Sequence, residues 1–137
     1  MKKKDIALQQ LIDAARLYNK GRYVSALTLA GASEEIFGKI AKKRIGSNQL
    51  EYEIEYIKTI YKYFNRPCPS NKEIIKQINK TKNEAKHNDV GENLWIKADF
   101  ENESVTVFVR AVKNYYDAYK EMPKNKIIMN LFEELCL

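Results

Sequence analysis

Residues 23–40, YVSALTLAGASEEIFGKI, decide how this chain folds. Tyr23, Ala26, Leu27, Ala30, Phe37 and Ile40, continued by Ala41 and Ile45, recur at helical steps of three and four. Between them Ala30, Gly31, Ala32 and Ser33 keep the middle of the helix slim, so that a neighbouring element can come close. That pattern suits the central, most buried helix of a bundle. Two carboxylates follow at once. Glu34 falls within the apolar sector, and Glu35 lies about a hundred degrees further round. A carboxylate facing a core needs a partner, and an ion pair with an inward lysine such as Lys82 would supply one.

Working outward, Leu8, Leu11, Ile12, Ala15 and Tyr18 form a first amphipathic helix that Gly21 stops. After a turn at Gly46, Ser47 and Asn48, Leu50, Ile54, Ile57, Tyr61 and Phe64 mark a third helix. Pro67 and Pro69 break the chain. Ser70 with Glu73 then makes a capping box, which starts a fourth helix at about Asn71. Its apolar positions are Ile74, Ile75, Ile78 and Ala85, with Lys82 in the same sector, and it is expected to end around residues 88–91. A lysine there either snorkels its stem along the core edge or carries its ammonium to something negative. A loop with Trp95 follows. SVTVFV, residues 104–109, alternates like a strand, but Val105, Phe108, Val109, Val112, Tyr116 and Tyr119 share one helical face, and length decides for helix. Past Pro123, Ile127, Ile128, Leu131, Phe132 and Leu135 make a short last helix. The fold expected is all-α, an antiparallel bundle of five to six helices, with residues 1–137 forming a single domain.

Composition removes several chemistries. Lys2, Lys3 and Lys4 precede no long apolar run, so neither a secretory signal nor a membrane span is drawn, and the cytoplasm is expected. Cys68 and Cys136 match no metal spacing and are expected to stay thiols. The five glycines are scattered and build no phosphate-cradling loop. With one histidine in the chain, the Glu-x-x-His step of carboxylate-bridged metal bundles occurs once, at Glu84 and His87, so no metal and no cofactor is expected. The net charge of +6 is uneven: residues 58–86 are basic, and an acidic run follows from Asp89 to Glu103. Such a charge attracts polyanions, and it also occurs on ordinary solvated faces.

The constellation that remains is Lys82, Asn83 and His87. A neutral imidazole can take the proton of a ribose 2′-hydroxyl, while a nearby ammonium steadies the charge that grows on the phosphate under attack. Lys80, Lys86 and Glu34 join them as candidate substrate contacts. Five residues along a straight helix turn the chain by well over a quarter turn. Lys82 and His87 therefore converge only if the helix frays near Asn88 or a twofold axis brings two copies together. In the plainer reading, His87 and Lys86 complement the negative end of the helix dipole and Asn88 helps close the turn. Tyr115, Tyr116, Tyr119 and Phe108 could stack bases, but most of them share the spacing of a core stripe.

The order of an amphipathic helix, then residues 23–40, then KNEAKH at residues 82–87 resembles the HEPN superfamily of small helical bundles. Similar members carry an alanine-rich second helix with a Glu and, later, an R-x4-H motif. The resemblance implies an up-and-down bundle that pairs as a homodimer, with the two motifs meeting at the interface. In active members it implies metal-independent endoribonuclease chemistry in toxin–antitoxin or phage-defence settings. The partners implied are RNA and a cognate antitoxin or nucleotidyltransferase-like protein. Residue by residue, His87 falls on the family histidine, Asn83 on the polar position and Lys82 on the arginine. Lysine there keeps the charge but loses the planar fork that grips phosphate through two parallel bonds. Two other roles stay open: a non-catalytic module binding RNA, nucleotide or protein, and a structural or antitoxin-binding bundle.

Overall fold

A computed structural model describes residues 1–86 and 95–137. The period read over residues 23–40 becomes α2 (Tyr23–Ile45), which buries Ala26, Leu27, Ala30, Phe37 and Ala41. It packs against α1 (Lys3–Asn19) on one side and α6 (Phe100–Tyr119) on another. Small residues set the closeness. Ala7, Ala14 and Ala15 of α1 are buried, as are Ala26 and Ala30 of α2. The larger wedges between the helices are Leu11, Leu27, Phe37, Val112, Ile128 and Leu131. Phe37 meets Tyr115 edge to face at 5.2 Å, a geometry the ring quadrupoles favour. Gly21 and Gly46 hold φ of 73° and 84°, left-handed values that suit glycine, where α1 turns into α2 and where α2 ends.

A thinner layer lies on one flank: α3 (Gln49–Tyr63), α4 (Asn71–Ile78) and α5 (Lys80–Lys86). The Asn48 side chain caps α3 by accepting from Glu51 N–H at 3.0 Å. The capping box at Ser70 and Glu73 is made in both directions. α7 (Lys126–Cys136), capped by Asn125, closes the core with Ile128 and Leu131.

The fourth helix is not continuous. It breaks at Asn79, which sits at φ −93° and ψ 2° and whose carbonyl accepts from Asn83 N–H at 2.9 Å as α5 begins. Asparagine is a weak helix former that tolerates this bridge conformation, so the apolar period runs on across a break in the backbone. The break raises the count to seven helices among the described residues. Residues 104–109 are helical within α6, as the longer window predicts. Among the described residues there is no strand, and no helix is long and apolar enough to cross a membrane. The expected helix end at residues 88–91 lies outside the described residues.

Candidate functional site

Glu34 and Glu35 emerge from α2 toward two different partners. Arg110 of α6 donates from Nε to Glu34 Oε1 at 2.7 Å and from Nη2 to Oε2 at 3.4 Å. Its Nη1 donates to Glu53 Oε2 of α3 at 2.6 Å. The Arg110 and Glu34 side chains are only 8% and 6% exposed, so this guanidinium ties three helices together out of water. Burial works against the Arg110 charge, but the two carboxylates outweigh it and raise its pKa above the ordinary value. The ion pair expected between Glu34 and Lys82 is therefore not formed: α6 lies alongside the Glu34 face of α2, and a fork with several donors takes the carboxylate.

Lys82 pairs one residue further on. It is buried on α5, with Nζ 3.0 Å from Glu35 Oε1, and Glu35 is about half exposed at 49%. The lysine stem crosses Gly31. A Cβ built at Gly31 would overlap Lys82 Cδ and come within 3.1 Å of Cγ, so the slim stretch of α2 receives this side chain. Lys82 thus both lays its stem along the core edge and reaches a carboxylate, combining the two roles open to an inward lysine. Burial tends to raise the Glu35 pKa. The hydrogen bond and charge of Lys82, followed by Lys86 and Lys39, win and hold it below the usual carboxylate range.

The other candidate residues on α5 point outward. Asn83 and Lys86 are exposed, and Lys80 is exposed beside Glu84 at 3.9 Å. Lys82 is thus turned inward while its neighbour Asn83 faces water. His87 lies outside the described residues, and so does the turn at Asn88. Of the aromatic candidates, Phe108 and Tyr115 are buried, Tyr119 is half-buried and Tyr116 is exposed.

Two clefts flank the Glu35–Lys82 pair and share Glu35 and Lys39 as walls. The smaller, of about 290 Å³, opens between Lys39, Asn48, Asn79, Lys82 and Asn114. The larger, of about 730 Å³, is bordered by Lys3, Lys39, Lys43 and Arg44, with Ile36 and Ile40 as apolar floor. Lys39 and Lys43 stand one helical turn, about 6 Å, apart. Arg44 is fixed by donating to the Ala118 carbonyl at 2.9 Å and by lying over the Tyr119 ring at 4.7 Å.

Sequence reasoning missed Arg110 and this groove. Arg110 had a signal: a lone charge with Phe108 and Val109 before it and Ala111 and Val112 after it. The groove had none, because Lys3 comes from a different helix and the basic run at residues 58–86 drew attention elsewhere. Among the described residues no group of three His, Cys, Asp or Glu is placed to hold a metal ion. No family model matches the chain, and neither a curated protein nor a solved structure does.

Proposed function

We propose that this chain is a HEPN-like helical module acting on RNA, a metal-independent endoribonuclease of the toxin–antitoxin or phage-defence type working in the cytoplasm. One observation carries the RNA part: the groove of Lys3, Lys39, Lys43 and Arg44 adjoins the Lys82–Glu35 pair and shares two walls with its cleft. A concave row of cations attracts a phosphodiester backbone and would lead it toward α5. In this reading His87 takes the 2′-hydroxyl proton, Asn83 and Lys86 contact the strand, and Lys82 steadies the phosphate. Glu35 holds the Lys82 ammonium in place until phosphate competes for it. In this reading, as the resemblance implies, a second copy of the chain completes the site by bringing a second motif opposite the first.

A second reading, a binding module that does not cut, is favoured by one fact: the Lys82 ammonium already has a carboxylate partner at 3.0 Å. The two readings separate in one assay. A pool of structured and single-stranded RNA, in excess chelator, is incubated with the wild-type chain, His87→Ala and Lys82→Arg. The nuclease reading expects the wild type to cut, His87→Ala to be silent and Lys82→Arg to cut faster. RNA left whole by all three, but bound with an affinity that falls as salt rises, establishes the binding module instead.

A further inference from the structure

Two side-chain amides of the smaller cleft turn their donors toward its opening. Asn114 of α6 is 1% exposed, and its Oδ1 accepts from the Gln49 backbone N–H at 2.9 Å. Asn48 uses its own Oδ1 to cap α3. With both oxygens engaged, both side-chain amides are fixed in orientation and turn their NH2 groups toward the cleft. The two nitrogens converge above Gly38, where a Cβ would lie 3.3 Å from Asn114 Nδ2 and 3.7 Å from Asn48 Nδ2. Neither has an acceptor among the described residues. Both NH2 groups open onto the cleft, where water or a bound group can accept from them.

The two carboxylates in the same cleft are already paired with cations. Glu34 is held by Arg110, and Glu35 by Lys82. Lys39, on the α2 wall, makes no ion pair among the described residues. Beside the Asn79 carboxamide, the cleft therefore offers a ligand two amide donors and one ammonium, coming from α2, the α3 N-cap and α6. Its volume of about 290 Å³ is at the low end for ligand pockets, enough for a small molecule or for one group of a larger one.

We propose that the Gly38 cleft is a phosphoryl-binding subsite, with Asn48 Nδ2, Asn114 Nδ2 and Lys39 Nζ as its donors. Three donors from α2, the α3 N-cap and α6 match a tetrahedral group with three acceptor oxygens, whereas a planar carboxylate has two. Gly38 keeps the two amides uncovered. The three donors lie outside α5, although Lys82 of α5 lines the same cleft, so binding at the subsite can be read without depending on cleavage by His87. The phosphoryl group belongs either to a free phosphorylated small molecule or to the backbone of a nucleic-acid strand.

The test follows the side-chain NH2 resonances of Asn48 and Asn114 by nitrogen-15 NMR. The probes are inorganic phosphate, a nucleoside 5′-monophosphate, a short RNA without terminal phosphates, and acetate as control. Asn48→Asp keeps the α3 cap and turns the cleft-facing donor into an acceptor. Gly38→Ala places a methyl against both amides while favouring the helix. Saturable shifts of both NH2 pairs are expected with a phosphoryl probe, weakened about tenfold or more by either substitution. Response to phosphate and monophosphate alone identifies a small-molecule site, and response to the RNA identifies a strand site. No shift with any phosphoryl probe, an equal response to acetate, or unchanged affinity in both folded variants overturns the proposal. Melting curves of the two variants establish that they are folded.

Discussion

Glu34 and Glu35 are adjacent on one helix and carry the same charge, yet they belong to different parts of the molecule. Glu34 faces the junction of α2, α3 and α6, where it and the Arg110 guanidinium pair almost out of water while the partly exposed Glu53 takes the remaining donor. Glu35 faces α5, where one buried ammonium meets a carboxylate that solvent still reaches. A rotation of about a hundred degrees separates a seam closed to water from one that solvent reaches on its carboxylate side. Removing one member of a buried network strands the others in low dielectric, whereas a half-exposed carboxylate that loses its partner rehydrates.

Arg110→Ala should break the comparison most severely. It leaves Glu34 buried and unpaired, and a loss of about 3–5 kcal/mol in urea unfolding is expected. An Arg110→Ala loss no larger than that of Lys82→Ala would erase the distinction between the seams. Gly31→Ala is next. The new methyl collides with the Lys82 stem, so a cost of about 1–3 kcal/mol from overpacking should exceed the helix-propensity gain of about 0.5–1 kcal/mol. In a Lys82→Ala background the same substitution should become neutral or stabilising. A double-mutant cycle measures that coupling, and additive effects would mean that the stem does not rest on Gly31.

How much of this was legible in the sequence follows from what each residue needs. The apolar periods of α1, α2, α6 and α7 were readable because burial forces a helical repeat, and the capping box was readable because its two residues are three apart. The break at Asn79 was not, since Ile74, Ile75, Ile78 and Ala85 keep helical spacing across it. An inward lysine at position 82 was also legible, from its place in the apolar sector. Its partner was not, because choosing between Glu34 and Glu35 requires knowing on which side of α2 the helices α5 and α6 lie. Arg110 won Glu34 through tertiary placement, which no local window contains.

Smaller effects sharpen the comparison. Because the folded-state pKa of Glu35 is lowered, its pairing stabilises the fold above the pKa of the unfolded chain. That contribution is lost as pH falls through the folded value. Unfolding of the wild type and of Glu35→Gln, measured across the acidic range, should therefore show a gap that closes as pH drops. With Glu35 half exposed, the gap should be no more than about 1 kcal/mol. A gap that widens on acidification would contradict the assigned direction. Ser33 supplies the smallest effect. Its Oγ is buried next to Glu34 in sequence and has no hydrogen-bond partner among the described residues, so Ser33→Ala should leave stability unchanged or raise it by up to about 1 kcal/mol in thermal unfolding. A clear loss would reveal an Oγ partner and place Ser33 in the Glu34 network.

The division between a structural seam and a working one is tested most directly by Lys82→Met. Methionine keeps the stem over Gly31 and removes the charge from a carboxylate that water can reach. RNA cleavage in excess chelator is measured at a temperature where circular dichroism shows wild type and variant equally folded. Lys82→Met is expected to stay folded and to lose cleavage. A variant that cuts RNA as fast as the wild type would contradict that expectation and remove Lys82 from the site.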